Sequence, residues 1–340
     1  MKKLLLVPYS FLFILFFNSC SDNANTLPRY TGTAGEIVVV AENHIWESEL
    51  GQAIQDHFYQ HTPHLPQPEA KFYLGQYPYS GFNNLLKQHR NILLIKIDNK
   101  LPKTEVNMLR SKWSKGQLVV QLNALNLAEA KEAFHTKKEQ IIKLFNEAEI
   151  ERLKQRYYNN TNDKVSQLLK EKFNISMHLP ADMLIAQQHD TSSNVIWLNR
   201  ERIKYLSGVA HDITQGIVVY AFPYQSDSIF TNEFAAKIRN QAVKVVQGSS
   251  ADKRMTTEID FYPPEGKFIR LNGKTARLTT GLWKMTNDFM GGPFVNLLIL
   301  DEKNQLVIGI DGFVFAPKFN KREYVREMEA MLKSAQLIEK

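Results

Sequence analysis

Phe294-Val295-Asn296-Leu297-Leu298-Ile299-Leu300-Asp301 runs through Glu302-Lys303-Asn304 into Gln305-Leu306-Val307-Ile308-Gly309-Ile310-Asp311-Gly312-Phe313-Val314-Phe315. Two runs rich in β-branched and aromatic residues flank the polar tetrad Asp301–Asn304, which reads as a hairpin turn in an antiparallel sheet. Asn194–Leu198, Gly216–Phe222, Lys267–Leu271 and Arg277–Met285 suit further strands. Val165, Leu168, Leu169 and Phe173 mark a short amphipathic helix, Phe230–Val246 a second and Lys321–Leu337 a terminal one. The second half, 164–340, is therefore expected to be an antiparallel sheet covered by helices.

The first half reads differently. Glu36-Ile37-Val38-Val39-Val40-Ala41 is a buried strand by composition, and Trp46, Leu50, Ile54 and Phe58 follow at helical spacing. Pro63, Pro66 and Pro68 end that helix. Lys71–Gly75, Asn91–Asp98 and Gln117–Leu122 are further expected strands, with a short helix around Glu105–Trp113. Asn126, with Glu129 three residues on, resembles a capping box opening a helix that keeps its apolar spacing to Tyr157. Alternating strands and helices indicate an α/β layer. Tyr158–Asp163 lacks apolar periodicity, so the expected plan is two α/β domains, 35–157 and 164–340, joined by a linker at 158–163.

Before this lies Met1-Lys2-Lys3, an apolar run from Leu4 to Phe17, and Asn18-Ser19-Cys20, which holds the only cysteine. The run is too short to span a bilayer as a helix. It has the plan of a secretory signal peptide, 1–19, whose removal leaves Cys20 at the new N-terminus. Phe17 and Asn18 depart from the usual lipobox, while small Ser19 fits it. Cys20 is read as the site of lipid (palmitate-type) attachment, and residues 20–34 as a polar tether. Ser21 favours the outer membrane, with the chain facing the periplasm or the cell surface. With one cysteine no intramolecular disulfide forms, so apolar packing must hold the fold. Hydrophobic residues make up 44% of the chain, ample for two cores. The net charge of +7 falls by two when Lys2 and Lys3 leave, and the remaining basic residues are interspersed with acids. No nucleic-acid partner is expected from that pattern.

Gly35–Val40, Leu65-Pro66-Gln67-Pro68-Glu69, His89-Arg90-Asn91-Ile92-Leu93, Val195-Ile196-Trp197-Leu198, Gly281-Leu282-Trp283, Asp288–Phe294 and Ala316–Arg322 together resemble a family of Gram-negative lipoproteins known only as a domain of unknown function. The resemblance spans nearly the whole mature chain and implies no activity. In element order the second half is also similar to PsbP-like α/β/α sandwiches, a likeness of fold alone.

Candidate sites are few. His57 and His61 share a helix face, and His64 would close a three-ligand metal site. No glutamate stands between the first two, so solvated or capping histidines are the expected reading, with no metal or other cofactor. Ser250-Ala251-Asp252-Lys253 has the spacing of penicillin-interacting serine enzymes, but the partner Lys-Thr-Gly motif is missing. Gly291 and Gly292 precede Pro293 and permit unusual backbone geometry; Trp283, Phe289 and Met290 would line a ligand groove there. The plainer reading is a tight turn. Trp197 with Arg200 forms a second candidate surface, Arg200 being suited to an anionic group. These features point to a non-catalytic envelope module that binds an envelope protein or a small ligand and is held to the membrane by its lipid. The alternative is an envelope hydrolase with an unrecognised active site.

Overall fold

The computed structural model describes residues 27–158, 160–186, 194–250 and 252–338. The expected signal peptide and Cys20 lie outside them. The fold is mixed α+β, with two principal sheets.

The first sheet is built from β1 (Glu36–Val40), β2 (Tyr73–Tyr77), β3 (Asn91–Ile97), β4 (Glu105–Arg110) and β5 (Leu118–Ala124) in the order β2-β1-β3-β5-β4. All neighbours are parallel except the edge pair β4–β5. The run Ile37–Ala41 is apolar throughout because both faces are covered. Ile37, Val39 and Ala41 pack beneath helices α1 (Asn43–Trp46), α2 (Glu49–Phe58) and α4 (Leu127–Tyr157). Val38 and Val40 face the other way, against Phe82, Trp113 and Leu86 of the short helix α3 (Asn84–Lys87). Asn126 caps α4 as its spacing indicates, its side chain accepting from Glu129 N at 2.9 Å. The expected helix at Glu105–Trp113 is instead strand β4. Its helix-tolerant residues pair along the free edge of β5, where ladder hydrogen bonds outweigh local propensity.

The second half contains α5 (Asp163–Phe173), β6 (Ile175–Ser176), β7 (Leu184–Ile185), β8 (Val195–Leu206), β9 (Val209–Pro223), α6 (Asn232–Ala242), β10 (Met255–Glu258), β11 (Glu265–Leu271), β12 (Lys274–Met285), β13 (Gly291–Asp301), β14 (Leu306–Phe315), α7 (Arg322–Lys333) and β15 (Gln336–Leu337). Its antiparallel sheet runs β10-β12-β13-β14-β9-β8-β7, with β11 also on β12; β6 and β15 form a separate pair. Two hairpins turn at Ser207-Gly208 and Asn272-Gly273, where both residues of each pair have positive φ. This geometry suits tight turns between twisted strands. Helices α5 and α7 and the end of α4 cover one face of the sheet. Helix α6 covers part of the other.

The helix α4 links the two cores. Ala130, Phe134, Ile141 and Phe145 belong to the first, whereas Ile150, Leu153 and Tyr157 belong to the second. A second link joins two of the segments that carry the family resemblance. Buried Glu69 accepts from the backbone N–H groups of Lys321 at 2.5 Å and Arg322 at 3.0 Å, capping α7 from 252 residues away. Lys321 Nζ donates to Gln67 Oε1 at 2.6 Å and to Phe319 O at 2.8 Å. Burial lowers the Lys321 pKa, opposed by the charge of Glu69.

Candidate functional site

Helix α6 starts behind Thr231, whose hydroxyl accepts from Phe234 N at 3.3 Å. At helical spacing Ala235, Ile238, Arg239 and Ala242 turn to the sheet. Asn232, Ala236 and Asn240 form a stripe flanking that face, with Glu233, Lys237, Gln241 and Lys244 further out. Beyond them, β10 and β11 use the same edge of β12 in succession. The chain between them, Ile259-Asp260-Phe261-Tyr262-Pro263-Pro264, has no strand partner and bulges outward. Ile259, Pro263 and Pro264 face the stripe on α6 and close a groove of about 610 Å³. This size is usual for a small-molecule site. Ile259, Phe261 and, on β11, Phe268 are exposed beside it, Phe261 to 93%. Such bulky apolar groups in one exposed loop mark an interaction site more than a folding need.

His64 holds this loop. Its ring is 4.4 Å from that of Tyr262, its Nε2 lies 3.2 Å from Pro263 O, and its Nδ1 lies 3.0 Å from Thr280 Oγ1. His57 is buried elsewhere, its Nε2 3.0 Å from Lys138 O, and burial lowers its pKa. His61 is exposed and sits in a bridge to Ala70. The structure does not bring the three together, and no metal-binding group of His, Cys, Asp and Glu occurs among the described residues.

The other sequence candidates also separate. Trp283 is 2% exposed and donates from its indole nitrogen to Val314 O at 3.2 Å. Met290 packs against the same core. Phe289 stands wholly in solvent. Gly291 and Gly292 belong to β13, not to a turn, and neither has positive φ. Their glycine character has a steric cause. A Cβ on Gly292 would lie 2.2 Å from Val314 O, and one on Gly291 2.8 Å from Trp283 O. Trp197 lines a separate cleft of about 460 Å³ with Asp182, Leu184 and Asn199, and its indole nitrogen has no hydrogen-bond partner. Arg200 points to the other face, donating to Asp182 at 2.7 Å with Glu327 3.7 Å away.

The groove residues Ala236, Ile259, Pro263 and Pro264, and the exposed Phe261 and Phe268, were not among the sequence candidates. One signal for them was present. A bulky apolar cluster ending in Pro-Pro, between two strands, cannot continue a ladder and must leave the sheet.

Residues 162–334 match the profile of a family described as a domain of unknown function (DUF4837), and residues 31–158 match a second, also a domain of unknown function (DUF8532). No curated protein matches. Among solved structures the chain is similar to the Ran-binding protein Mog1p of Saccharomyces cerevisiae, at 12% identity and a TM-score of 0.31, over 49% of this chain and 91% of that one. A point variant of Mog1 gives 12% identity and 0.29, over 49% and 92%. A structure from Bacteroides thetaiotaomicron gives 9% and 0.20, over 50% and 47%. Likeness at this level carries no argument. The profile match spans the antiparallel sheet and its covering helices, half of the chain, and the chain belongs to the family described as a domain of unknown function (DUF4837).

Proposed function

We propose that the protein is a lipid-tethered, non-catalytic binding module of the cell envelope that takes an apolar ligand into the groove along α6. The observation that carries this reading is the groove itself: Ala236, Ile259, Pro263 and Pro264 form an apolar lining, with Phe261 and Phe268 exposed beside it. The buried acids support a non-catalytic role. Glu69, Glu149, Asp301 and Asp311 are each engaged by backbone N–H groups or by arginine and asparagine side chains. The proposal includes acylation at Cys20, an outer-membrane address, and a division at 158–163 with a PsbP-like second domain.

Nile red, a neutral apolar dye, tests the groove. The whole chain carrying Cys20→Ser should enhance its fluorescence. Ala236→Trp, which fills the groove from the flank of α6 that lines it, should weaken binding roughly tenfold, a loss of about 1.4 kcal/mol. Equal binding by the two proteins would refute the assignment. Cys20→Ala tests the tether separately, since it should move the protein from the membrane to the soluble fraction.

A further inference from the structure

Three basic segments meet where the parallel strands of the first sheet begin. Lys115 N donates to Pro28 O at 2.8 Å, and the backbones of Arg29 and Lys115 form an isolated parallel bridge. The segment Pro28–Thr31 therefore lies along the turn between β4 and β5. Gln117 Nε2 donates to Lys87 O at 2.7 Å and to His89 O at 2.6 Å, which ties the end of α3 to the same turn. Ser114 Oγ adds a bond to Gln88 O at 3.3 Å. Arg29, Lys87, Arg110, Lys112 and Lys115 are thereby gathered at one end of the sheet, next to the first residues of β3 and β5. All but Lys87 are exposed.

Among the described residues no carboxylate lies within ion-pair distance of any of the five. The acids on adjoining segments are engaged elsewhere. Glu149 takes Arg90 and Arg152, Glu36 lies 3.8 Å from His89, and Glu151 pairs with Lys154 at 3.2 Å. Arg110 lies in the field of Glu151 without forming an ion pair with it. Like charges gathered without counter-charges repel one another, and an anionic surface relieves that repulsion. Apolar groups stand in the same segments. Lys112 Nζ sits 4.5 Å over the Trp113 ring, Trp113 meets Phe82 edge-on at 5.5 Å, and Leu85 on α3 is 69% exposed. Lysine, tryptophan and leucine in one patch suit the boundary between water and a bilayer.

We propose that this end of the first sheet is the face that rests on an anionic phospholipid bilayer. The length of the chain argues for that occupant. Residues 21–26 separate Cys20 from Leu27, where the described structure begins. Even fully extended, at about 3.6 Å per residue, that stretch reaches about 25 Å. A lipid on Cys20 therefore keeps Pro28 and the adjoining turn near the membrane. The five cations then draw the face into contact, because their attraction acts within a Debye length of about 8 Å. This inference rests on the Cys20 tether proposed above and adds which face meets the bilayer. Charges without an inserted chain bind a membrane weakly and reversibly, so the patch orients the protein while the lipid anchors it. Cys20→Ala is still expected to release it.

The test uses residues 21–340, which keep every described element, and sedimentation with two kinds of vesicle. One is pure phosphatidylcholine and the other an equal mixture with phosphatidylglycerol. The protein should sediment with the mixed vesicles at about 50 mM salt and not with the neutral ones. It should come off at about 0.5 M salt, where the Debye length is about 4 Å. Lys112→Gln with Lys115→Gln should weaken binding about thirtyfold, about five- to sixfold for each charge removed near the surface. Lys100→Gln with Lys103→Gln removes the same charge from the loop that leaves the opposite end of β3, and should bind like the parent. All four lysines are exposed, so the fold is retained. Absence of binding by the parent chain overturns the proposal, and that measurement needs no variant. Equal binding to neutral vesicles overturns it too. So does an equal loss in both double variants, which would report overall charge. Residues 21–340 lack Cys20, so the vesicle result is independent of acylation. A protein that keeps Cys20 and is found in the soluble fraction would sink the tether, and this bilayer face with it. Failure on vesicles with the tether intact sinks the face alone.

Discussion

Asp311→Ala is expected to destabilise the protein by about 3–5 kcal/mol, the cost of stranding a buried charge. The melting temperature should fall by about 5–15 °C. Asp311 is fully buried on β14, beneath α6. Arg239 donates to it twice, Nε to Oδ2 at 2.7 Å and Nη2 to Oδ1 at 3.0 Å. Asn296 donates to Oδ2 at 3.1 Å and also lies 2.9 Å from the Tyr220 hydroxyl. Burial pushes the Tyr220 pKa up, and the charge of Asp311 adds to the rise. Alanine would leave Arg239 with only Thr257 Oγ1, at 2.9 Å, Met255 Sδ at 3.9 Å and the face of Phe294, 3.6 Å away. Asp311→Asn keeps the shape and some of the hydrogen bonding, so it should cost less. A thermal melt of the three proteins checks the order. An alanine variant that melts with the parent would show that the pair contributes no net stability.

Glu149→Ala should have an effect of similar size, about 3–5 kcal/mol, for a related reason. Glu149 is 1% exposed on α4 and bonds to Arg90, to Arg152 at 3.0 Å and to Asn91 Nδ2 at 2.6 Å. Two guanidinium groups share this one carboxylate. Burial lowers the Arg152 pKa, Glu149 opposes that shift and the charge of Arg90 adds to it. Without Glu149 two like charges would face each other in the interior. Both also stack on Tyr30, at 4.9 and 5.2 Å from the ring centre. Tyr30 lies in a strap pinned by Thr31 N to Gln88 O at 2.9 Å, Arg90 N to Thr31 O at 3.0 Å and Lys115 N to Pro28 O at 2.8 Å. The variant should therefore loosen the strap. Limited proteolysis should cut Leu27–Thr33 sooner than in the parent chain. An unchanged melt with the strap still protected would refute the argument.

These clusters explain several of the segments that carry the family resemblance. His89-Arg90-Asn91 supplies partners for Glu149 and Arg152, and Leu65–Glu69 supplies the cap for Lys321-Arg322. They are unusual sequences because both stabilise buried charge, and the second also joins the two halves. Nothing local in them signals a ligand. Gly291-Gly292-Pro293 is similar. It looked like a turn or a ligand loop, but close approach of Val314 O is what demands glycine at 292.

By itself the sequence determined the local elements and much of their burial. The apolar run at Ile37–Ala41, the cap at Asn126 and the two runs either side of Asp301–Asn304 report backbone preference and side-chain period, which are properties of neighbouring residues. The tertiary structure decided which strand took the edge at Glu105–Arg110, because edge pairing depends on partners, from Leu118 opposite Arg110 to Asn123 opposite Glu105, that the whole sheet sets in register. It also decided which charges were paired. Arg239 and Arg277 are both arginines on core-facing positions, yet one meets Asp311 across 72 residues and the other meets no acid. Coulomb energy depends on distance in space and on the surrounding dielectric, and neither is written in the order of the chain.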